Sequence, residues 1–380
     1  MISDRPWIAI TAGDVSGIGP EIIVQACCDQ RIQSACRPLV VCHPEILRQA
    51  LQLCQRKIDC VDFRKAEIVE VDVKAELSGS LTELPQHVIP CLNPAGDAVL
   101  SAARGAVNAE AGDAAFHYLC AAIDLATSGA VSAIATAPLN KESLHAAGHP
   151  WPGHTEILAE KCGVRDYAMM LHLSENRIAP WRSLVRTSAD SDFCAKDGLS
   201  IVHVTLHTSV RSVPQILTAR LVEEKIRLMD DFLWQIGSER RSIAVAALNP
   251  HGGEHGLFGD EEETIIAPAI DNILKAQGDS HGRQRAIHVK GPLPVDTLIR
   301  RAVAGEFDGV VAMYHDQGHI PVKMIGFDSA VNITLGLPIV RTSPTHGTAF
   351  DRAWNERLAV DPSGMMEAVH CAVRLSQTRS

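Results

Sequence analysis

Aromatic residues are scarce in this chain. Phe, Trp and Tyr together make up 4% of its 380 residues, too few for the broad aromatic platforms that bind bases or sugars. Lys and Arg form no dense run, and the formal net charge is -10. We therefore expect neither nucleic acid nor an anionic membrane as the main partner, although a local basic pocket stays compatible with these numbers.

Two further patterns are missing. None of the eleven cysteines forms a CxxC pair, and no apolar run approaches the ~20 residues that span a bilayer. No signal peptide precedes the early strand candidate "WIAIT". These absences predict a cytoplasmic protein with reduced thiols and no membrane partner.

Short β-rich runs alternate with Ala-rich helical runs along most of the chain. The strand candidates are 7–11, 38–42, 131–137, 167–171, 200–206, 242–248, 309–314 and 330–336. The helix candidates are 20–30, 44–54, 109–127, 141–147, 155–161, 213–236, 261–276 and 364–376. The alternation predicts an α/β protein with a largely parallel sheet and leaves mixed pairing open. The polar segment 174–200 lacks periodicity, and a flap, an extra hairpin or a surface insertion all fit it.

Histidines follow three of these strand candidates directly. "VHVTL" ends in His207, "AVAALNP" in His251 and "GVVAMY" in His315. Ligands of α/β proteins bind where strands end and loops begin, and three neutral imidazoles commonly hold a divalent metal. The pattern indicates a metal site assembled by the fold. A structural role for each ring is the alternative.

Three polar residues recur at intervals of nine beside apolar segments, namely Lys323, Asn332 and Arg341. Buried cations need anionic partners, and a guanidinium fork with an ammonium group suits a phosphate. Salt bridges to nearby carboxylates are the alternative. The N-terminal "TAGDVSGIGPEIIV" matches neither the GxGxxG fingerprint nor a Walker A loop, so any nicotinamide cofactor has to bind without the usual Rossmann turn.

Six motifs in order along the chain carry a specific resemblance: "GHTE", "LNPHGGE", "GPLPVDTL", "MYHDQG", "VNITLGLPIVRTS" and "HGTAFD". With these motifs, from residue 11 to about 353, the sequence closely resembles the PdxA family of 4-hydroxythreonine-4-phosphate dehydrogenases and their relatives. The resemblance implies an α/β/α sandwich like that of isocitrate and isopropylmalate dehydrogenases. It has two lobes with the active-site cleft between them.

The resemblance also implies an arrangement of lobes and partners. The first lobe, on the cofactor side, is expected over 1–135 plus 309–380, and the second, on the metal and dimer-interface side, over 136–308. Family members form homodimers that share active sites, and they use NAD and one divalent metal ion. Zinc, cobalt, magnesium and manganese all stay open. Family members oxidise a secondary alcohol β to a carboxylate, and the resulting keto acid loses carbon dioxide.

Residue by residue, the resemblance makes His207, His251 and His315 the metal ligands, with one ligand, expected to be His315, coming from the neighbouring subunit. The expected substrate contacts are His154, Thr155, Lys323, Asn332 and Arg341. NAD is assigned to His346, Gly347 and Thr348, and catalysis to Asp296, Asp316 and Lys323. The two aspartates could accept a proton or orient a ligand.

The substrate is the open point of the resemblance. The opening "GDVSGIGPEI" differs from the "GEPAGIGP" of many vitamin B6 (pyridoxine) pathway members. It is nearer to paralogues that act on D-threonate or D-erythronate 4-phosphate, and another group oxidises a dihydrodiol of terephthalate. A metal-dependent hydrolase or lyase, or a non-catalytic sugar-phosphate sensor, would use the same histidines without oxidation.

Overall fold

The computed structural model describes residues 5–58, 61–72, 84–190, 193, 195–278 and 286–378. Two compact units divide these residues. The first unit runs up to Arg165 and resumes at Leu337, and the second unit comprises Asp166–Gly336. None of the helices within the described ranges is long and apolar enough to cross a bilayer.

The strands of the described residues, in chain order, are β1 (Trp7–Thr11), β2 (Arg37–Val41), β3 (Glu67–Glu70), β4 (Val88–Leu92), β5 (Ala133–Thr136), β6 (Ala168–Leu173), β7 (Leu199–His203), β8 (Ser242–Ala246), β9 (His288–Leu293), β10 (Gly309–Ala312), β11 (Val331–Leu335) and β12 (Arg341–Pro344).

The α-helices are α1 (Gly19–Cys28), α2 (Gln30–Ala35), α3 (Pro44–Lys57), α4 (Val61–Lys65), α5 (Ala109–Thr127), α6 (Lys141–Ala146), α7 (His154–Lys161), α8 (Glu175–Val185), α9 (Val213–Ile216), α10 (Ala219–Gln235), α11 (Ala267–Gly278), α12 (Val295–Ala304), α13 (His315–Gly326) and α14 (Ser363–Gln377). A π-helical turn, Glu262–Ile266, leads into α11.

The first unit is built on a parallel sheet in the order β3-β4-β2-β1-β5-β12. Its inner strands are apolar along their whole length: "AIAT" of β5 is fully buried, and β1 is buried after Trp7. Strands that are covered by helices on both faces read as continuous apolar runs. The prediction of a parallel α/β sheet is confirmed here.

The second unit pairs its strands in the order β11-β6-β7-β10-β8-β9. Strand β6 is antiparallel to both of its neighbours, whereas β7, β10, β8 and β9 run parallel. The sheet is therefore mixed, which is the option that the alternation of elements left open. Its core is aliphatic and includes Leu171, Ile201, Leu298 and Val310.

The unit boundaries differ from the expected lobes 1–135 plus 309–380 and 136–308. Helices α6 and α7 lie in the first unit, and β10 lies inside the sheet of the second unit, between β7 and β8. Strand β10 pairs with a neighbour on each edge, so it belongs to the second unit. Strand β11 pairs with β6 of the same unit, and the second unit therefore extends to Gly336. The segment 174–200 also differs from a hairpin or irregular flap, because most of its first half is α8.

Candidate active site

The three histidines that follow strands lie on one edge of the second unit's sheet. Strand β10 pairs with β7 on one side and with β8 on the other, and all three run in the same direction. His315 begins α13 just after β10, His207 follows β7, and His251 follows β8. The carboxyl ends of parallel neighbours meet at one edge, so the fold brings the three segments together.

Hydrogen bonds tie these strand ends to one another. The main-chain N and the Oγ1 of Thr205, after β7, donate to the main-chain O of Met313, after β10, at 3.1 and 2.8 Å. Gln317 accepts from Met313 N at 2.7 Å and donates through Nε2 to Ala247 O, after β8, at 2.8 Å. One buried amide side chain thus connects the β10 end with the β8 end, which fixes where α13 starts.

His315 has one ring nitrogen committed and one available. Its Nδ1 lies 2.7 Å from Asp316 Oδ1. Because a carboxylate accepts, the proton sits on Nδ1 and Nε2 keeps its lone pair, which is the arrangement of a metal-binding imidazole with a carboxylate behind it. The ring of His207 lies 6.0 Å from that of His315, centroid to centroid.

His251 lies on a loop of unusual backbone shape. Its φ is +54°, and Gly252 continues the left-handed turn at +68°. The start of this loop is held by buried Glu262, whose Oε1 accepts from the main-chain N of Leu248 and of Asn249 at 2.7 Å each. A non-glycine residue at positive φ is strained unless its surroundings hold it. Glu262 was not singled out from the sequence, since its role follows from the fold of the loop.

The donor chemistry fits a divalent metal ion, but one chain supplies an incomplete set. His207 and His315 are neighbouring imidazoles, whereas the ring of His251 contacts Phe258 at 6.3 Å between centroids. Within the described residues of a single chain, three or more His, Cys, Asp or Glu side chains nowhere gather closely enough to hold a metal. In the expected metal site, the pair His207–His315 would be a partial set of ligands that needs a further one.

Two buried histidines next to this pair were not singled out from the sequence. His203, the last residue of β7, is 1% exposed and His319, one turn into α13, is 5% exposed. Burial and the ring of His319 lower the pKa of His203 to about 3. Burial and the ring of His315 lower the pKa of His319 to about 4. The spacing from His315 to His319 is that of one helix face, so a helix start at His315 would have revealed it.

The other predicted residues of the second unit lie on separate elements. Lys323 is near the end of α13 and its Nζ lies 5.9 Å from the Phe327 ring. Asn332 is in β11, and its Oδ1 is buried without a hydrogen-bond partner among the described residues. Asp296 is exposed in the first turn of α12, where its Oδ1 accepts from the Thr297 main-chain N at 2.9 Å.

Arg341, the first residue of β12, is the buried cation of the first unit. It is 2% exposed, and its Nη2 and Nε donate to Thr136 Oγ1 at 2.7 and 3.2 Å. Burial lowers its pKa to about 10, an effect that Glu156 partly offsets. Burial, followed by the charge of Arg341, holds the pKa of His154 well below its usual range. Thr155 follows His154 in the first turn of α7.

The loop with His346, Gly347 and Thr348 packs against the N-terminal loop that follows β1. Ile18 N donates to Thr348 O at 3.0 Å, and a Cβ at Gly17 would lie 2.6 Å from that oxygen. His346 Nδ1 lies 3.1 Å from Gly347 O, so its buried Nε2 keeps a lone pair that has no partner among the described residues.

Further unsatisfied polar atoms cluster at the β1 end of the first unit. Thr11 Oγ1, Asp14 Oδ2 and Ser16 Oγ are buried, and none has a hydrogen-bond partner of normal geometry within the described chain. Thr11 and Thr136 are register partners at the carboxyl ends of β1 and β5. Each buried polar group that lacks a partner calls for an explanation, of which a polar ligand is one.

Comparison with known proteins gives concordant results over the whole chain. The sequence model of the family "Pyridoxal phosphate biosynthetic protein PdxA" matches residues 34–372. D-threonate 4-phosphate dehydrogenase of Pectobacterium atrosepticum is 39% identical over 97% of this chain and 99% of its own length. 4-Hydroxythreonine-4-phosphate dehydrogenase of Trichlorobacter lovleyi is 38% identical over 100% of both chains.

A solved structure agrees with these sequence relatives. The crystal structure of 4-hydroxythreonine-4-phosphate dehydrogenase from Klebsiella pneumoniae is 38% identical, covers 98% of this chain and 100% of its own, and has a TM-score of 0.78. The fold and the matched length agree, and the chain belongs to the PdxA family.

Proposed function

We propose that the chain is an NAD-dependent, divalent-metal-dependent dehydrogenase of a 4-phosphorylated hydroxy acid such as 4-hydroxythreonine 4-phosphate. It oxidises the secondary alcohol, and the product loses carbon dioxide. Membership of a family of dehydrogenases that act on a CH–OH group supports the reaction class. The observation that carries the proposal is the placement of His207, His251 and His315 after three adjacent parallel strands.

The second unit supplies the metal ligands in this proposal. His207 and His315 bind through their rings, and Asp316 keeps Nε2 of His315 free by holding the proton on Nδ1. When bound, the metal supplies Lewis-acid polarisation of the substrate's oxygen atoms. Asp316 and Asp296 are the candidate groups for accepting the proton of the substrate hydroxyl, with Asp316 favoured because its carboxylate adjoins a ligand.

The first unit supplies a cation and unsatisfied polar groups. Arg341 is assigned to the substrate phosphate, because a buried guanidinium with a lowered pKa is stabilised by an anion. His154 and Thr155 are assigned to the same substrate, as are Lys323 and Asn332 of the second unit. The loop His346–Thr348 is assigned to NAD, and the free lone pair of His346 Nε2 and the unsatisfied Ser16 Oγ beside that loop support the assignment.

A homodimer completes the proposal, because a single chain brings only two of the three histidine rings into contact. Helix α13, which begins at His315, carries an exposed apolar face formed by Ile320, Met324 and Phe327, at 55%, 74% and 59% exposure. Their spacing of four and three residues puts them on one side of the helix. An exposed apolar face on the helix that begins with a proposed metal ligand supports a subunit interface at this helix.

The cytoplasm is the proposed compartment. None of the nine cysteines within the described residues is in a disulfide bond. Burial raises the pKa of several of these thiols, such as Cys36, Cys42 and Cys54, each to about 12. Protonated, buried thiols are stable in a reducing compartment and have no tendency to pair.

Replacement of Asp316 by asparagine tests the orientation of His315. An amide can donate as well as accept, so the Nδ1–H tautomer of His315 loses its selective partner. We expect the affinity for Co²⁺ to fall by roughly 10–100-fold, as measured by visible absorption during titration of metal-free protein. Asp328→Asn changes an exposed aspartate beyond the end of the same helix and should leave the affinity unchanged. Equal affinities for both variants would remove Asp316 from the site.

D-threonate 4-phosphate is the second candidate substrate. The relative from Pectobacterium atrosepticum that carries this name is 39% identical over nearly its whole length. The two substrates differ at the carbon next to the carboxylate, where one has an amino group and the other a hydroxyl. A third substrate, D-erythronate 4-phosphate, differs from D-threonate 4-phosphate only in stereochemistry.

A side-by-side assay tests both the reaction and the substrate. The protein is incubated with NAD, a divalent metal and each of the three phosphorylated acids, and the ultraviolet absorbance of the reduced nicotinamide is followed. We expect turnover with at least one acid and none after the metal is chelated. Release of inorganic phosphate without nicotinamide reduction would instead indicate a hydrolase. Binding of an acid without any turnover would indicate a sensor.

A further inference from the structure

Two histidines behind His315 have no part in the proposed function. His319 lies one turn further along α13, and its ring stacks on that of His315 with 3.6 Å between centroids and 10° between planes. His203 lies at the end of β7, with its ring 4.8 Å from that of His319. Both rings are almost completely buried. A polar ring that is buried against a candidate metal ligand calls for an account of its hydrogen bonds.

The contacts of His319 define where the protons are. Its Nδ1 lies 3.2 Å from the main-chain O of His315 and 3.3 Å from Nε2 of His203. A carbonyl oxygen only accepts, so Nδ1 of His319 carries a proton and donates. Nε2 of His203 is then the second acceptor of this shared donor, so the proton of a neutral His203 ring is on Nδ1, which is buried and has no hydrogen-bond partner of normal geometry among the described residues. The carbonyl of His315 thus sets the tautomer of His319, and His319 sets the tautomer of His203.

A glycine in α13 makes room for this pair. A Cβ at Gly318 would lie 2.3 Å from Nε2 of His203, so any larger residue would displace the ring that accepts from His319. Glycine inside a helix costs about 1 kcal/mol relative to alanine. The close approach of His203 explains why the helix carries a glycine at this position.

We propose that His319 is a positioning residue that fixes the ring plane of His315, and that His203 holds the ring of His319 in place by accepting from its Nδ1. The inference rests on the proposed function, in which His315 is a metal ligand. Asp316 constrains the Nδ1 edge of the His315 ring, and the stacked His319 constrains its face. An imidazole that is held at one edge and on one face presents Nε2 in a single direction, which lowers the entropy lost when a ligand binds.

Two variants of His319 separate the effect of ring stacking on His315 from the effect of side-chain volume. His319→Phe keeps a flat ring of similar size against His315, whereas His319→Leu keeps apolar volume without a ring. We expect His319→Leu to weaken Co²⁺ binding to metal-free protein by roughly 10–100-fold, and His319→Phe to recover most of that loss. Titrations followed by visible absorption give the affinities, and thermal unfolding shows whether both variants are folded. Equal Co²⁺ affinity of His319→Leu and the unaltered chain would overturn the proposal.

A second measurement needs no variant of His319. Long-range ¹H–¹⁵N correlation spectra of the unaltered, metal-free protein report which nitrogen of each ring carries the proton. We expect Nδ1–H for both His319 and His203, and Nε2–H at His319 would contradict the positioning role. His315→Ala separates the two levels of inference: if it binds Co²⁺ as tightly as the unaltered chain, the proposed metal site fails. If only His315→Ala loses affinity and His319→Leu does not, the metal site stands and the positioning role fails.

Discussion

Replacing His251 by asparagine is expected to lower turnover by about three powers of ten while the protein stays folded. A metal contributes several kcal/mol to the stabilisation of the transition state, and each 1.36 kcal/mol corresponds to a factor of ten in rate. Asparagine is the suitable replacement because the residue has a φ of +54°, a conformation that asparagine adopts more readily than alanine. His251 is exposed, so the free energy of unfolding should change little.

His255 provides a matched control in the same loop. It is also an exposed histidine in the left-handed region, with a φ of +55°. His255→Asn therefore makes the same chemical change on the same type of backbone, outside the assigned ligands. Steady-state rates at saturating substrate and metal compare the two variants. Full activity of His251→Asn, or an equal loss in His255→Asn, would contradict the assignment of His251 as a ligand.

Mixing inactive variants tests whether the metal site is shared between subunits. When His251→Asn and His315→Ala proteins exchange subunits freely, half of the dimers are mixed, and each mixed dimer keeps one intact site if the two ligands come from different chains. About one quarter of the normal activity should then return. If both ligands come from one chain, the mixture stays inactive. The same experiment with His207→Ala and His315→Ala decides whether that neighbouring pair acts together within one chain.

The strand ends of the second unit could be predicted because buried strands are recognisable in the sequence. "SIAVAAL" and "GVVAMY" are apolar for their whole length, and the polar residue that follows each one marks the edge of the sheet. That rule singled out His207, His251 and His315, although β7 already ends at His203, before the predicted end at residue 206. Strand β12, by contrast, reads "RTSP" and is buried all the same. Polar residues in a buried strand are satisfied by tertiary contacts, such as that of Arg341 with Thr136, which a single sequence does not reveal.

Helix α13 could not be predicted for a similar reason. It contains Gly318 and Pro321, and both residues disfavour a helix interior. The glycine is explained by the close approach of His203, a residue more than a hundred positions away. Because this helix was not predicted, the spacing of four residues between His315 and His319 did not indicate that the two rings lie on one face. Contacts between distant segments overrode local propensity at the place where the chemistry concentrates.

For Lys323, Asn332 and Arg341, the residue types were a useful signal, but their regular spacing was not. The structure puts them on three different elements, α13, β11 and β12. Arg341 is the one of the three that is almost completely buried. An interval of nine residues does not place side chains together when each interval leads from one element to the next. The residue types were the useful signal, because a buried cation requires an anion.

Replacing Arg341 by methionine is expected to raise the KM for the phosphorylated substrate by about 10²–10³-fold while the ligand-free protein stays folded. Loss of a buried charged hydrogen-bond partner costs a ligand about 2–5 kcal/mol. Burial lowers the pKa of Arg341 to about 10, because it disfavours the charged form of the guanidinium. Methionine fills similar volume without a charge.

Arg182 is the matched control, because it is a buried arginine outside the residues assigned to the substrate. It is 5% exposed and bonds to Glu175 at 2.7 Å, and it also donates to the main-chain O of Ala195. Arg182→Met leaves Glu175 without its cation, so we expect a loss of about 3–5 kcal/mol in the free energy of unfolding. Chemical denaturation measures both variants without ligand.

The two arginines should therefore differ in their response to phosphate. Inorganic phosphate is expected to raise the melting temperature of the unaltered chain, and we expect Arg341→Met to lose that rise. Arg182→Met should be less stable and keep that rise. A destabilised Arg341→Met protein that phosphate still protects would assign Arg341 to the fold instead of the ligand. A folded Arg341→Met protein that phosphate no longer protects would assign Arg341 to the anion, because the guanidinium is then needed for the ligand and not for the fold.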